Sequence, residues 1–448
     1  MMTERKDYKD SKKKGRKADG HGEHRKAWQE TAATVDDIKT FLEDHVFLRH
    51  NVITKRVECR IPEADAFCLR NLGMKENWSP EWQPLSDRVV NSLWSALSRK
   101  KRVNVQDMYR VIESDFVEAY HPFRYYLDHL PPWDGQDYLM ELSLSVSVKG
   151  EVEEQMRFAQ YLKKWLVGMV AAWVDDAVVN NVILVLIGEQ GSYKTTWFHY
   201  LLPPELRQYF YTKTNSGRMG RDDLLTLAQY GLVCCEELDT MRPSELNQLK
   251  AAVTMPSVDE RAAYAHYHEH RQHIASFCGT GNNVQFLSDP TGNRRWLPFE
   301  VESIDSPRDR PLNYEGIYAQ AYALYREGFQ YWFSREEIVA LAGHNRQFET
   351  PRLEVELVQL YFRPPAKHEA GEFMSVARAM QIVSGGIAQK LNTVILGRAF
   401  VELGFPKKVY QHTRGYLVVQ RSAMEMKEMQ RAMGGETVTD VTDETDVF

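Results

Sequence analysis

An apolar run, Val182-Ile-Leu-Val-Leu-Ile187, breaks abruptly into Gly188-Glu-Gln-Gly-Ser-Tyr-Lys-Thr-Thr196 and then continues as an amphipathic segment. Few folds satisfy such a stretch. An unbroken aliphatic strand is buried on both faces, which calls for a parallel sheet covered by helices. The glycine-rich turn after it exposes backbone N–H groups, and the following helix aims its positive N-terminus at the same point. The spacing is that of a phosphate-binding loop, G-x-x-x-x-G-K-[ST], with Tyr193 standing where the second glycine is expected and Gly191 adding a flexible point. Gly188, Glu189, Gln190, Gly191, Ser192, Tyr193, Lys194, Thr195 and Thr196 are therefore the candidate cradle for ATP. Lys194 is expected to neutralise the β/γ-phosphates and the Thr195 hydroxyl to sit on Mg²⁺.

Hydrolysis also needs acids at the end of a neighbouring strand. Tyr230-Gly-Leu-Val-Cys-Cys-Glu-Glu-Leu-Asp239 has that form, and it puts Glu236 and Glu237 where an open α/β sheet presents its ligands. Glu236 is expected to help hold the metal, and Glu237 to orient or deprotonate the attacking water. A second buried strand, Ile274-Ala-Ser-Phe-Cys-Gly-Thr-Gly-Asn-Asn283, ends in amides able to touch both γ-phosphate and water, with Asn282 the first choice and Asn283 the second. Asp289-Pro-Thr-Gly-Asn-Arg-Arg-Trp296 offers Arg294 or Arg295 as an arginine finger reaching a neighbouring subunit, while at least one of the two fits a structural ion pair.

Between these strands His266, His268 and His270 alternate with Tyr267 and Glu269. With no cysteine nearby, a polar hairpin fits better than a zinc site. In a ring it would project Lys250, Arg261, His268 or Arg271 toward nucleic-acid phosphates.

Residues 1–33 read as a basic disordered arm, a solubilising tail or a backbone contact for nucleic acid, and 34–149 as a mainly helical domain with a strand pair near Val46–Arg60. The sheet occupies 150–302, and a helical piece over 303–362 resembles the lid of many such ATPases. A linker at 363–371 leads to a winged-helix-like domain over 372–424, with strands Val409–His412 and Tyr416–Gln420 joined by a turn at Thr413-Arg-Gly415. Arg398, Lys407, Lys408 and Arg414 give that domain positive charge; a small packing domain is the alternative. Residues 425–448 read as an acidic tail.

In order, Gly188-Glu-Gln-Gly-Ser-Tyr-Lys-Thr, Cys234-Cys-Glu-Glu-Leu-Asp, Asp259-Glu-Arg-Ala-Ala-Tyr, Gly279-Thr-Gly-Asn-Asn and Gly292-Asn-Arg-Arg-Trp resemble the virulence-associated protein E family. That family comprises phage and mobile-element ATPases related to superfamily 3 helicases and the AAA+ class. His121-Pro-Phe and the Leu-Pro-Pro-Trp-Asp-Gly135 that follows are similar to its entry into the ATPase module. The resemblance implies an ATP- and Mg²⁺-dependent ring, hexameric, moving on single-stranded DNA with a separate primase or initiator. It gives Lys194 and Thr195 to nucleotide and metal, Glu237 to catalysis, Asn282 to sensing and Arg294 or Arg295 to the finger. Many relatives carry a primase, but the region before His121 shows no paired aspartates on a strand, so primer synthesis is not expected.

The net charge of −6 requires nucleic-acid binding to come from local basic surface. The five cysteines show no disulfide spacing and no run is long enough to span a membrane, which together lead to an expectation of cytoplasmic residence. A DNA motor leads the readings. A nucleotide-switched DNA-binding initiator or regulator is the alternative, and a kinase on the same loop lacks an acceptor-site signature.

Overall fold

The computed structural model describes residues 32–61, 81–214, 221–260, 269–287, 293–350, 352–385 and 391–433. Three bodies of apolar packing follow one another along the chain.

The first comprises α1 (Val35–His45), β1 (Phe47–Asn51), β2 (Arg56–Arg60), β3 (Gln83–Pro84), α2 (Asp87–Leu97), α3 (Val105–Ile112) and β4 (Ala119–Tyr120). Thr34, Ser86 and Asn104 cap its helices, each accepting from a backbone N–H of the first turn. Ile38, Leu42, Cys59, Leu93 and Met108 meet between the helices and a sheet of order β3-β2-β1-β4. The sheet is a departure from the mainly helical domain expected, because two of its strands are only two residues long and carry no alternating pattern.

The second body begins at α4 (Pro122–Asp128) and α5 (Tyr138–Leu144) and continues with β5 (Val146–Val148) and the long α6 (Val152–Val174). Then come β6 (Ile183–Ile187), α7 (Lys194–Leu201), β7 (Phe210–Lys213), α8 (Arg221–Gln229), β8 (Leu232–Cys235) and α9 (Pro243–Val253). A hairpin of β9 (Ser257–Glu260) and β10 (Glu269–Gln272) precedes β11 (Ser276–Gly281), β12 (Trp296–Ile304), α10 (Tyr314–Arg326) and α11 (Arg335–Asn345). The sheet order is β5-β12-β6-β11-β8-β7, parallel from β12 to β7, with β5 antiparallel at the edge.

Every residue of β6 is buried because the sheet is covered on both sides. Leu184 and Leu186 face Trp165 and Trp173 of α6 and Tyr318 of α10, whereas Ile183, Val185 and Ile187 face Leu227, Leu249 and Val253. Two expectations change here. Phe123, Leu139, Val146 and Val148 belong to this core, so the boundary lies near Tyr120 and not at 149. Ile317, Tyr318, Ala321 and Leu341 are also inside it, so α10 and α11 are walls of the sheet domain and not a lid.

The third body holds α12 (Leu353–Tyr361), β13 (Phe362–Arg363), β14 (Glu372–Ser375), α13 (Val376–Val383), α14 (Thr393–Glu402), β15 (Lys407–Tyr410), β16 (Thr413–Gln420) and α15 (Ala423–Met433). Leu357, Val358 and Phe362 pack with Met374, Leu396 and Phe400, which moves 353–362 out of the expected lid. The expected linker, 363–371, joins two strands that both pair with β16, and Arg363 forms a bidentate pair with Glu369 across it, at 2.6 and 2.7 Å.

The hairpin turn also lies elsewhere. Gln411 and His412, at φ 43° and 62°, make it, as a two-residue turn with both φ positive does. Gly415 sits inside β16, where a Cβ would collide with the Met374 carbonyl and the Phe373 ring. The expected acidic tail starts with a helix over Ala423–Met433; its remainder and the basic arm through residue 31 lie outside the described residues.

Candidate nucleotide site and nucleic-acid surfaces

Parallel register brings the separate motifs to one edge. Gly281 pairs with Ile187 and Gly279 with Cys235, so the loop after β6, the acids after β8 and the asparagines after β11 share the carboxyl end of the sheet. The Gly188 N–H donates to the Gly281 carbonyl at 3.1 Å, and a Cβ on Gly188 would stand 3.1 Å from the Val301 carbonyl.

Gly191 takes φ +85°. Tyr193 takes φ 61°, ψ 9° immediately before α7, the left-handed conformation that a glycine would adopt without strain. Tyr193 thus holds a conformation that favours glycine and carries a half-exposed phenol ring on the loop.

Lys194 is buried, and its ammonium donates to the carbonyls of Gly188 at 2.8 Å and Glu189 at 2.7 Å and to Ser192 Oγ at 3.1 Å. Burial lowers its pKa, with the Asp239 charge opposing. All three acceptors are neutral, so a polyanion in the loop competes for this ammonium on favourable terms.

Thr195 Oγ1 donates to Glu236 Oε1 at 2.9 Å, across 41 positions of sequence. A hydroxyl and a carboxylate, both hard oxygen ligands, thus meet beside the candidate phosphate loop, a donor set that fits Mg²⁺. Glu237 is exposed next to it at φ 53°, ψ 45°, again left-handed for a residue with a side chain. Strain of this kind clusters at functional sites.

Asp239 was not singled out as a site residue. Its carboxylate accepts the backbone N–H of Asn282 at 3.2 Å and of Asn283 at 3.1 Å, tying the β8 end to the β11 end. Its signal was the third acid of Glu-Glu-Leu-Asp. Asn283 Oδ1 is engaged by the Gln285 N–H at 3.0 Å, while the Asn282 side chain is exposed beside the loop.

The model of the virulence-associated protein E-like domain matches residues 127–350, half of the chain. The chain belongs to the virulence-associated protein E-like family. The match begins inside α4 and ends just before α12, so it coincides closely with the second body. No curated protein matches the chain. Among solved structures, two of the apo C-terminal region of NrS-1 align over 85% of this chain and 98% of theirs, at 12% and 11% identity, each with a TM-score of 0.43. Another apo structure of that region aligns over the same shares at 11% identity and a TM-score of 0.46.

In this virulence-associated protein E-like chain, Arg294 and Arg295 stand away from the loop. They form the turn before β12, whose first residue pairs with Ile183, so they occupy the amino end of the sheet while Gly188 occupies the other. A strand of that length separates them by roughly 16 Å. They line a cleft with Asn180, Asn181, Thr254 and Trp332, and burial, then the Arg294 charge, lowers the pKa of Arg295.

Lys250 and Arg271 do not project as expected: they are 7% and 8% exposed, because α9 and the β9–β10 hairpin pack their inner faces onto the sheet domain. Arg261 and His268 lie outside the described residues. His270 Nδ1 lies 2.7 Å from Asp259 Oδ1, and among the described residues no group of three or more His, Cys, Asp or Glu is disposed to hold a metal ion. Arg398 on α14 and Arg414 at the hairpin are exposed, as are Lys407 and Lys408. No described helix is long and apolar enough to cross a membrane.

Proposed function

We propose that the chain is an ATP- and Mg²⁺-dependent ATPase of the P-loop, AAA+-like type, acting as a helicase or translocase on single-stranded DNA in the replication of a phage or mobile element. The observation that carries this reading is the Thr195–Glu236 hydrogen bond, which joins the candidate nucleotide loop to the acidic strand end. Lys194 and the loop N–H groups hold the phosphates, Thr195 and Glu236 hold the Mg²⁺, and Glu237 positions or deprotonates the attacking water. Bound Mg²⁺ would neutralise charge on the β- and γ-phosphate oxygens. Asn282 senses the γ-phosphate, and Asp239 fixes its backbone.

Arg294 and Arg295, at the far end of the sheet, act on a neighbouring subunit, which makes the active assembly a ring, proposed as a hexamer. ATP turnover with and without single-stranded DNA, using Lys194→Ala as the blank, tests the proposal. Strong stimulation is expected, and unstimulated turnover that persists in Lys194→Ala contradicts it.

The second reading is a nucleotide-switched initiator. It is supported by the order α13, α14 and the β15–β16 hairpin, compatible with a winged helix, with exposed Arg398, Lys407, Lys408 and Arg414. It predicts duplex binding that survives Glu237→Gln and is lost when the chain ends at Thr350.

A further inference from the structure

The first body carries a sheet face that the sheet domain covers at Asn51 and Glu58, where Asn51 Nδ2 donates to the Tyr209 hydroxyl at 2.6 Å, and that is open at its other end. Leu48, Val57 and Cys59 point into its core, so the alternate residues Phe47, Arg49, Glu58 and Arg60 share the other face. Cys59 pairs with Gln83 and Glu58 with Pro84, which sets Trp82 beside Arg60 on that face. Tyr120 of β4, paired with Asn51, completes it.

These side chains interleave. The Arg49 guanidinium lies 3.5 Å from the centre of the Tyr120 ring and 4.1 Å from that of Trp82, and Arg60 lies 5.0 Å from Phe47 and 5.3 Å from Trp82. Tyr125, 52% exposed, extends the row, 5.3 Å from Tyr120 and stacked on His129 at 4.0 Å. Phe47 is 49% exposed at the open end.

The charges differ in state. Arg49 is neutralised by Glu58 at 2.6 Å, whereas among the described residues no carboxylate pairs with Arg60 and its Nε is buried without a hydrogen-bond partner. An alternating row of π faces with a guanidinium that no described carboxylate pairs with complements a ligand that offers flat rings and negative charge at the same repeat.

We propose that this face, centred on Phe47, Arg60 and Trp82, is a stacking platform for single-stranded nucleic acid. Bases lie on Phe47 and Trp82, and Arg60 meets a backbone phosphate or stacks on a base. The platform gives the chain a hold on the strand outside the ATPase domain and independent of nucleotide.

The test measures binding of fluorescent oligo-dT and oligo-rU by the full chain without nucleotide, in wild type, Phe47→Ala/Arg60→Ala and Arg60→Lys. Lys194→Ala serves as a parallel background, so that failure of the ATPase reading leaves this result intact. The double variant is expected to melt at the wild-type temperature and bind about tenfold more weakly. Arg60→Lys, keeping charge but losing the plane, is expected to fall between. Preference for dT or rU assigns the strand. Photo-cross-linking of iodouracil-containing oligonucleotides is expected to label peptides carrying Phe47 or Trp82. Wild-type affinity in the folded double variant, or cross-links confined to other bodies, overturns the proposal.

Discussion

Two residues hold left-handed backbone at the candidate nucleotide site, Tyr193 at φ 61° and Glu237 at φ 53°. Each costs about 1 kcal/mol relative to glycine. Among the described residues the half-exposed Tyr193 ring makes no hydrogen bond or ring contact that offsets that strain, so Tyr193→Gly is predicted to stabilise the protein by about 0.5–1 kcal/mol after the extra chain entropy of glycine is subtracted, a rise in melting temperature that calorimetry reads. Asp239 acts at one remove, through two backbone N–H groups. Asp239→Asn leaves one of them facing an amide that donates; turnover is predicted to fall about tenfold with KM for ATP nearly unchanged, and stability by about 1–2 kcal/mol. The positions of Lys194, Thr195 and Glu236 were legible in the sequence because each sits at a fixed offset from an unmistakable buried strand. Asp239 was not, since its partners are backbone atoms 43 and 44 residues away.

At the scale of elements, strands and helices with strong periodicity are readable: Phe158, Leu162, Trp165, Leu166 and Met169 recur at helical spacing, and α6 runs from Val152 to Val174. Elements defined by partners are not. The three-residue β5 and the two-residue β3, β4 and β13 exist only through pairing, and the turn of the last hairpin falls on Gln411-His412 because Gly415 is needed where the Met374 backbone comes close. The entry helix α4 carries a pH dependence. His121 caps it, Nδ1 accepting the Arg124 N–H at 3.2 Å, and burial, then the Arg124 charge, lowers its pKa from 6.5 to about 4. Between those values the unfolded chain binds more protons than the folded one, so stability falls as pH drops from 6.5 toward 4 and is unaffected by this group above 6.5. Thermal melts across that window are predicted to show a loss of about 1–2 kcal/mol, absent from His121→Asn, which keeps a capping acceptor.

For the whole molecule, the composition of linkers proved a poor guide to boundaries. The proline-rich 363–371 segment is an internal loop, whereas the change of core falls between Phe348, packed with the sheet domain, and Leu353, packed with the third body. A chain ending at Thr350 is accordingly predicted to stay folded and cooperative. One ending at Phe362 carries Leu357, Val358 and Phe362 without their core and is predicted to aggregate, which size-exclusion chromatography distinguishes. The central claim is that one edge of the sheet binds ATP through Lys194 and hydrolyses it through Glu237, two separable tasks. Its most direct test is ATP affinity and turnover measured side by side in wild type, Lys194→Ala and Glu237→Gln. Lys194→Ala is predicted to lose binding, and Glu237→Gln to bind as wild type does while turnover falls by about 100-fold or more. Undiminished turnover in Glu237→Gln, or undiminished binding in Lys194→Ala, would contradict it.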